Sequence, residues 1–313
     1  MRQSFFVAPL MSLLIAANAC GAVPPGSTRF TLTHDGLTRS YIVHRPAGAS
    51  SRRPPPVILN LHGAGSNGAG QERYSGMDQV ADREHFLVVY PDGTGRGMGL
   101  TWNAGACCAY AMFHRVDDVG FIRAVIDDLA RRTPIDRHRI YATGISNGGM
   151  MSYRLAAEAP DLVAAIAPVA GTMVLPQAHP THPIPIIHFH SIDDSFAKYD
   201  GGYGRLGAGG RTMGNPPVET ELALWSGVNG CRGTPVVADR RAGAPGSADD
   251  GNTATKLTYG PCSSGAAIVL WKLSGSGHVW PGAQSAGARF LGRSTHLVDA
   301  NEEMWAFFRK GDR

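Results

Sequence analysis

Three runs of this chain share one shape: a short apolar stretch that passes directly into a glycine-rich loop. They are VILNLHGAG at 57–65, HFLVVYPDG at 85–93, with its strand at 86–90, and IYATGISNGG at 140–149. An apolar run without polar alternation reads as a strand buried on both faces. Such strands belong to a mostly parallel sheet, which needs helices against each face. The rest of the chain fits that demand. Residues 119–129 of VDDVGFIRAVIDDLARR have helical apolar spacing, with Asp117 or Asp118 as the cap. Further buried strands are expected in LVAAIAPVAG, at 184–190 and in AAIVLWKLSGSGH, and a closing helix at 297–309. Glu219, after Pro216-Pro217, reads as a helix start with Leu222, Leu224 and Trp225 turned inward. A hairpin pairs 29–32 with 40–44 through Asp35-Gly36. Residues 240–253 read as a polar loop and 201–215 as a glycine-rich insertion near the top of the sheet. The predicted fold is α/β, with one domain over 20–313.

The first residues read as an export signal. Arg2 precedes an apolar run at 5–17, and Ala17-Asn18-Ala19 is a small-x-small cleavage pattern. Residues 1–19 are therefore expected to be a signal peptide and the protein to be secreted. Cleavage there would leave Cys20 first. Lipid anchoring through Cys20 is the alternative, but Ala17 stands where that signal prefers leucine. No other stretch is long and apolar enough to span a membrane. In an oxidising compartment cysteines pair. Cys231 and Cys262, each in a turn-like setting, are the expected disulfide. Cys107 and Cys108 are adjacent, with Cα atoms ~3.8 Å apart across a trans peptide, below the usual disulfide range. Their state stays open.

Lysine and arginine number 29 against 25 acidic residues, and the basic ones are scattered. That excludes a nucleic-acid footprint. The 40 glycines and 21 prolines suit a loop-rich enzyme better than a helical bundle.

Within the third run, Gly144-Ile145-Ser146-Asn147-Gly148 fits G-x-S-x-G. The motif is weak alone, but ligands of parallel sheets sit beyond the C-terminal strand ends, where Ser146 falls. A serine nucleophile needs a base, and the base needs a carboxylate. His278 lies in the loop SGSGHVWPG after the last core strand, and Asp194 follows the strand at 184–190. The chain order Ser146, Asp194, His278 is that of an α/β-hydrolase. Asn147, after the serine, and Ala64, in LHGAGS, are the expected oxyanion N–H donors. Trp102, Tyr199 and Trp280 sit in loops near the strand ends, either lining an acyl pocket or packing the core. His188 and His190 share a strand face, with His179 and His182 nearby. No cysteine pair or carboxylate cluster completes a metal site there, so packed or surface histidines are expected. No cofactor is implied.

Five separated motifs also resemble one family. LHGAG, the YPDGT…TWNAGACCAY…VDDVGFI series, RIYATGISNGGMMSYRLAAEAPDLVAAIAPVAG, HFHSIDDSFAKYDGG and SGSGHVWPG look like the secreted esterases grouped with poly(3-hydroxybutyrate) depolymerases and feruloyl esterases. The resemblance covers nearly all of 29–310. It implies an α/β-hydrolase with Ser146 as nucleophile, Asp194 as acid, His278 as base and Ala64 as an oxyanion donor. The departure is in HSIDDSFAKYDGG, which places Asp193 beside Asp194 and makes it the rival acid. The expected activity is hydrolysis of a small or oligomeric carboxylic ester: a hydroxyalkanoate, or a feruloyl or acetyl ester of plant polysaccharide. The alternatives are a serine peptidase or thioesterase on the same fold, or a binding protein without turnover.

Overall fold

The computed structural model describes residues 24, 26–47, 53–95, 99–176, 180–205, 214–283 and 289–312. The expected signal peptide, Cys20, His179 and residues 206–213 of the glycine-rich insertion lie outside them. The strands are β1 (Ser27–His34), β2 (Leu37–His44), β3 (Val57–Leu61), β4 (Leu87–Pro91), β5 (Ile140–Ile145), β6 (Ala165–Val169), β7 (Ile186–Ser191), β8 (Val236–Ala242), β9 (Thr253–Tyr259) and β10 (Ile268–Ser274). The helices are α1 (Gly68–Ser75), α2 (Asp78–Glu84), α3 (Ala109–Phe113), α4 (Asp118–Arg132), α5 (Asn147–Glu158), α6 (Val218–Val228) and α7 (Ala300–Phe308).

All of these strands join one sheet in the order β1-β2-β4-β3-β5-β6-β7-β10-β9-β8. The middle six run parallel, and an antiparallel hairpin closes each side. Every residue of β3, β4, β5, β6 and β7 is buried. Their side chains divide by the strand's period of two. Val57, Leu59 and Leu61 enter one core with Phe121, Ile122 and Val125 of α4 and Met150 and Tyr153 of α5. Ile58 enters the other, with Val80 and Ala81 of α2 and Met304 and Trp305 of α7. The sheet is thus covered on both faces, as its unbroken apolar strands require.

Three local expectations change. The stretch 240–253 is not wholly a loop: Arg240–Ala242 end β8 and Thr253 opens β9, with the turn between. VVADRRA hides this strand because it sits at the sheet edge, where its side chains are largely exposed and charged. Leu224 points outward on α6, 44% exposed, while Leu222 and Trp225 are buried. Asp117 alone caps α4, accepting from Gly120 N–H. Asp118 instead is fully buried, 2.8 Å from Arg39, and accepts the Asn103 N–H.

Cys231 and Cys262 are joined by a disulfide, as are Cys107 and Cys108. The Cys231–Cys262 bond fastens the turn after α6 to the loop before β10, across the whole β8–β9 hairpin. Closing a loop of this separation, 31 residues, stabilises a chain by about 3–4 kcal/mol on the entropy model. The double substitution C231S/C262S is therefore expected to lower Tm by several degrees in a thermal melt of oxidised protein. An unchanged Tm would remove this stabilising role.

Candidate active site

Ser146 stands between the end of β5 and the start of α5 with φ 57° and ψ −121°. A serine in that region is strained, so the surroundings must hold it. Two constraints do so. The Ser146 N–H donates to Val169 O at 2.9 Å. Gly144 and Gly148 let the elbow press against β3: a Cβ on Gly144 would stand 2.5 Å from Leu61 O, and one on Gly148 would collide with the same carbonyl. Alanine at either place would push the elbow off the strand. The N-terminal N–H groups of α5 have no intrahelical acceptor, and Asn147 is the first of them.

The loop after β3 faces the elbow, and a Cβ on Gly63 would lie 3.5 Å from Ser146 Cβ. His62 shapes this loop. Its Nδ1–H donates to Gly63 O at 2.8 Å, and its Nε2 accepts the Gly93 N–H at 2.9 Å. This tautomer is neutral, and burial pushes the ring's pKa down to about 4, so it stays neutral across the working range. Gly65 N–H is held by Leu100 O and Ser66 N–H by Gly63 O. The Ala64 N–H between them has no protein acceptor among the described residues.

His278 and Asp194 meet as the chain order anticipates. His278 Nδ1–H donates to Asp194 Oδ2 at 2.6 Å, and both residues are buried. That leaves Nε2 as the free basic nitrogen. Asp194 Oδ1 accepts the N–H groups of Phe196 and Ala197 at 2.7 and 2.9 Å. Burial alone would raise this carboxyl; the His278 ring, with hydrogen bonding from His190 and His278, outweighs it and holds the group well below the usual carboxylate range. Asp193 turns away and accepts the Gly275 N–H at 2.6 Å. Among the described residues no hydrogen bond joins Ser146 to His278; such contacts often tighten only when substrate binds.

His188 and His190 are packed histidines joined in a directed chain. Tyr153 O–H donates to His188 Nδ1 at 2.8 Å, and His188 Nε2–H to His190 Nδ1 at 3.0 Å. His190 Nε2–H donates to Ala197 O at 2.6 Å and lies 3.5 Å from Asp194 Oδ2. Each ring nitrogen is used, and the chain backs the Asp194 loop.

The three aromatic residues considered for an acyl pocket are braces instead. Trp102 is fully buried; its Nε1–H donates to His62 O at 3.0 Å, and its backbone is held on both sides by the Asn147 amide, at 2.7 and 3.0 Å. Trp102 therefore locks the loop of Ala64 to the helix of Asn147. Trp280 is fully buried against Tyr74 and Asn301. Tyr199, 4% exposed, donates its O–H to Glu219 at 2.7 Å. None offers an open face to a ligand. The exposed aromatic surface is elsewhere. Phe196 lies 5.5 Å from the His278 ring and 5.9 Å from Phe290, edge to face, and Phe290 is 62% exposed. The His278 backbone N–H donates to Leu291 O at 2.7 Å, which ties the loop of Phe290 to that of His278. Nothing in the sequence pattern around Phe290 marks it; only the return of its loop to His278 does.

A parallel sheet with a serine elbow, a His–Asp pair at the same strand ends and a free loop N–H beside it has the architecture of an α/β-hydrolase. The model of the prolyl oligopeptidase family matches residues 72–186. The "Putative esterase NocK" of Nocardia uniformis is 34% identical over 252 residues, 79% of this chain and 72% of NocK. Feruloyl esterase B of Piromyces equi is 29% identical, matched over 77% of this chain but only 42% of its own length. The acetyl xylan esterase of Aspergillus awamori shares the fold, with a TM-score of 0.58 at 16% identity, covering 90% of this chain and 99% of that one. The chain belongs to the family of α/β-hydrolase serine esterases grouped with poly(3-hydroxybutyrate) depolymerases and feruloyl esterases. Among the described residues no helix is long and apolar enough to cross a membrane.

Proposed function

We propose that this chain is an exported esterase that cleaves aromatic acyl esters of the feruloyl kind by a Ser146–His278–Asp194 mechanism. The observation that carries the mechanism is the His278–Asp194 bond of 2.6 Å, on loops at the same end of the sheet as Ser146. Ser146 Oγ attacks the ester carbonyl carbon, and His278 Nε2 takes its proton. The N–H groups of Ala64 and Asn147 receive the developing oxyanion. Collapse breaks the C–O bond, and His278 returns the proton to the departing alcohol. Water, deprotonated by His278, then releases the acid and restores Ser146. Export is supported by the signal-like residues 1–19 and by the two disulfides. A sheet that takes in every described strand supports reading 20–313 as one catalytic domain.

The aromatic acyl group is supported by Phe290, exposed and edge to face with Phe196, which itself lies 5.5 Å from the His278 ring; a phenyl ring of the substrate could stack there. An aromatic pair is worth roughly 0.5–1.5 kcal/mol beyond its buried area. Parallel kinetics on methyl ferulate, acetylated xylan and 3-hydroxybutyrate oligomers test the reading. Methyl ferulate is expected to give the highest kcat/KM. F290A is expected to raise its KM by about 2–10-fold and to leave acetylated xylan unaffected. Preference for hydroxybutyrate oligomers, or a ferulate KM indifferent to F290A, would reject the aromatic acyl assignment while leaving the mechanism intact.

A further inference from the structure

A second polar cluster lies away from the catalytic loops. His44 pairs with Val88 near the start of β4, at the end of the parallel strands opposite Ser146. There His44, Glu72 of α1 and Asp78 of α2 converge, with one ligand atom of each within 4.8 Å of the others. His44 and Glu72 are buried, 5% and 1% exposed.

The bonding around the three residues is what distinguishes them from a chance grouping. Each has one polar atom tied from behind and another turned toward the others. His44 Nε2 bonds Asp82 Oδ1 at 2.9 Å, while its Nδ1 stands 3.6 Å from Asp78 Oδ2. Asp78 Oδ1 accepts the Tyr90 O–H at 2.7 Å. Ser27 bridges two of the three: its O–H donates to Glu72 Oε1, and its Oγ is hydrogen-bonded to His44 Nδ1 at 3.2 Å. Glu72 Oε2 is buried with no hydrogen-bond partner. A buried carboxylate oxygen without a donor is costly, and beside Glu72, Asp78 and Asp82 the hydroxyls of Ser27 and Tyr90 bring no positive charge, which leaves His44 alone to face the three acids in this cluster. A cation satisfies both demands. An imidazole whose far N–H meets a carboxylate is the usual support for a metal-ligating histidine. One nitrogen and two carboxylates form a set suited to zinc, whose ligands at ~2.1 Å stand about 3.4 Å apart in a tetrahedron. The 3.6 Å between His44 Nδ1 and Asp78 Oδ2 is close to that span.

We infer that His44, Glu72 and Asp78 form a structural divalent-cation site, of zinc type, that fastens α1 and α2 to the end of β2. The full chain, freed of metal by a chelator and dialysed, is titrated with zinc chloride in a calorimeter and melted with and without zinc. One zinc per chain and a raised Tm are expected. H44A and E72Q are each expected to weaken that binding by about 100-fold or more and to lose the Tm rise; loss of a supporting group alone costs 10–100-fold. E72Q keeps the side chain's shape, and its esterase turnover shows that it is folded. A wild-type chain without stoichiometric zinc, or zinc binding that survives intact in a folded E72Q, overturns the site.

Discussion

Ser146→Ala is expected to remove ester hydrolysis from a chain that still folds. Loss of a triad member lowers turnover by roughly 10⁴-fold or more. The change deletes one oxygen that makes no hydrogen bond to His278, so little structure rests on it. The strained backbone at Ser146 is set by Val169 O and by the glycines packed on Leu61 O, none of which the substitution touches. The residual rate should come from the Ala64 and Asn147 N–H groups, which still polarise a bound carbonyl. Turnover of p-nitrophenyl acetate, with Tm measured on the same sample, checks it. A folded variant with wild-type turnover would take Ser146 out of the mechanism.

The parts legible in the sequence are those that a short local pattern encodes. The buried strands announce themselves because both faces must be apolar, and the loops that follow them carry Ser146, Asp194 and His278. Chain order alone then brings Asp194 to His278. What stayed hidden depends on contacts between distant segments. The end of β8, Arg240–Ala242, reads as a loop because an edge strand keeps its charges, and its pairing with β9 is written in neither strand. The place of Trp102 in a motif loop leaves pocket wall and core packing equally open. Its indole N–H in fact bonds His62 O, and its backbone the Asn147 side chain, residues 40 and 45 positions away. Phe290 has no motif at all and meets Phe196 only because its loop returns to the His278 backbone through Leu291 O. His44, Glu72 and Asp78 come from β2, α1 and α2, and no ligand spacing links them in sequence.

The two neighbouring aspartates give the sharpest separation of roles. Asp194→Asn is expected to reduce kcat by about 10⁴-fold, the loss seen when the orienting carboxylate of a triad becomes an amide. Asp194 Oδ2 accepts the His278 Nδ1–H. An amide that turns its NH₂ toward that nitrogen requires a lone pair there, which moves the ring proton to Nε2 and leaves no base for Ser146. An amide also carries no charge to stabilise the imidazolium that forms during attack. Folding should suffer less, because the amide would keep one oxygen for the N–H groups of Phe196 and Ala197. Asp193→Asn should alter kcat by no more than about 10-fold, since its carboxylate serves the Gly275 N–H, three residues before His278, and not the ring. The pH profile gives a second readout. The D194N loss should persist at every pH at which the chain is folded, because a wrong tautomer is not restored by deprotonation. Steady-state kinetics of the two variants from pH 6 to 9, each with a melt to establish folding, decide the matter. A larger loss in D193N would move the acid to Asp193 and dissolve the pairing on which the proposed mechanism stands.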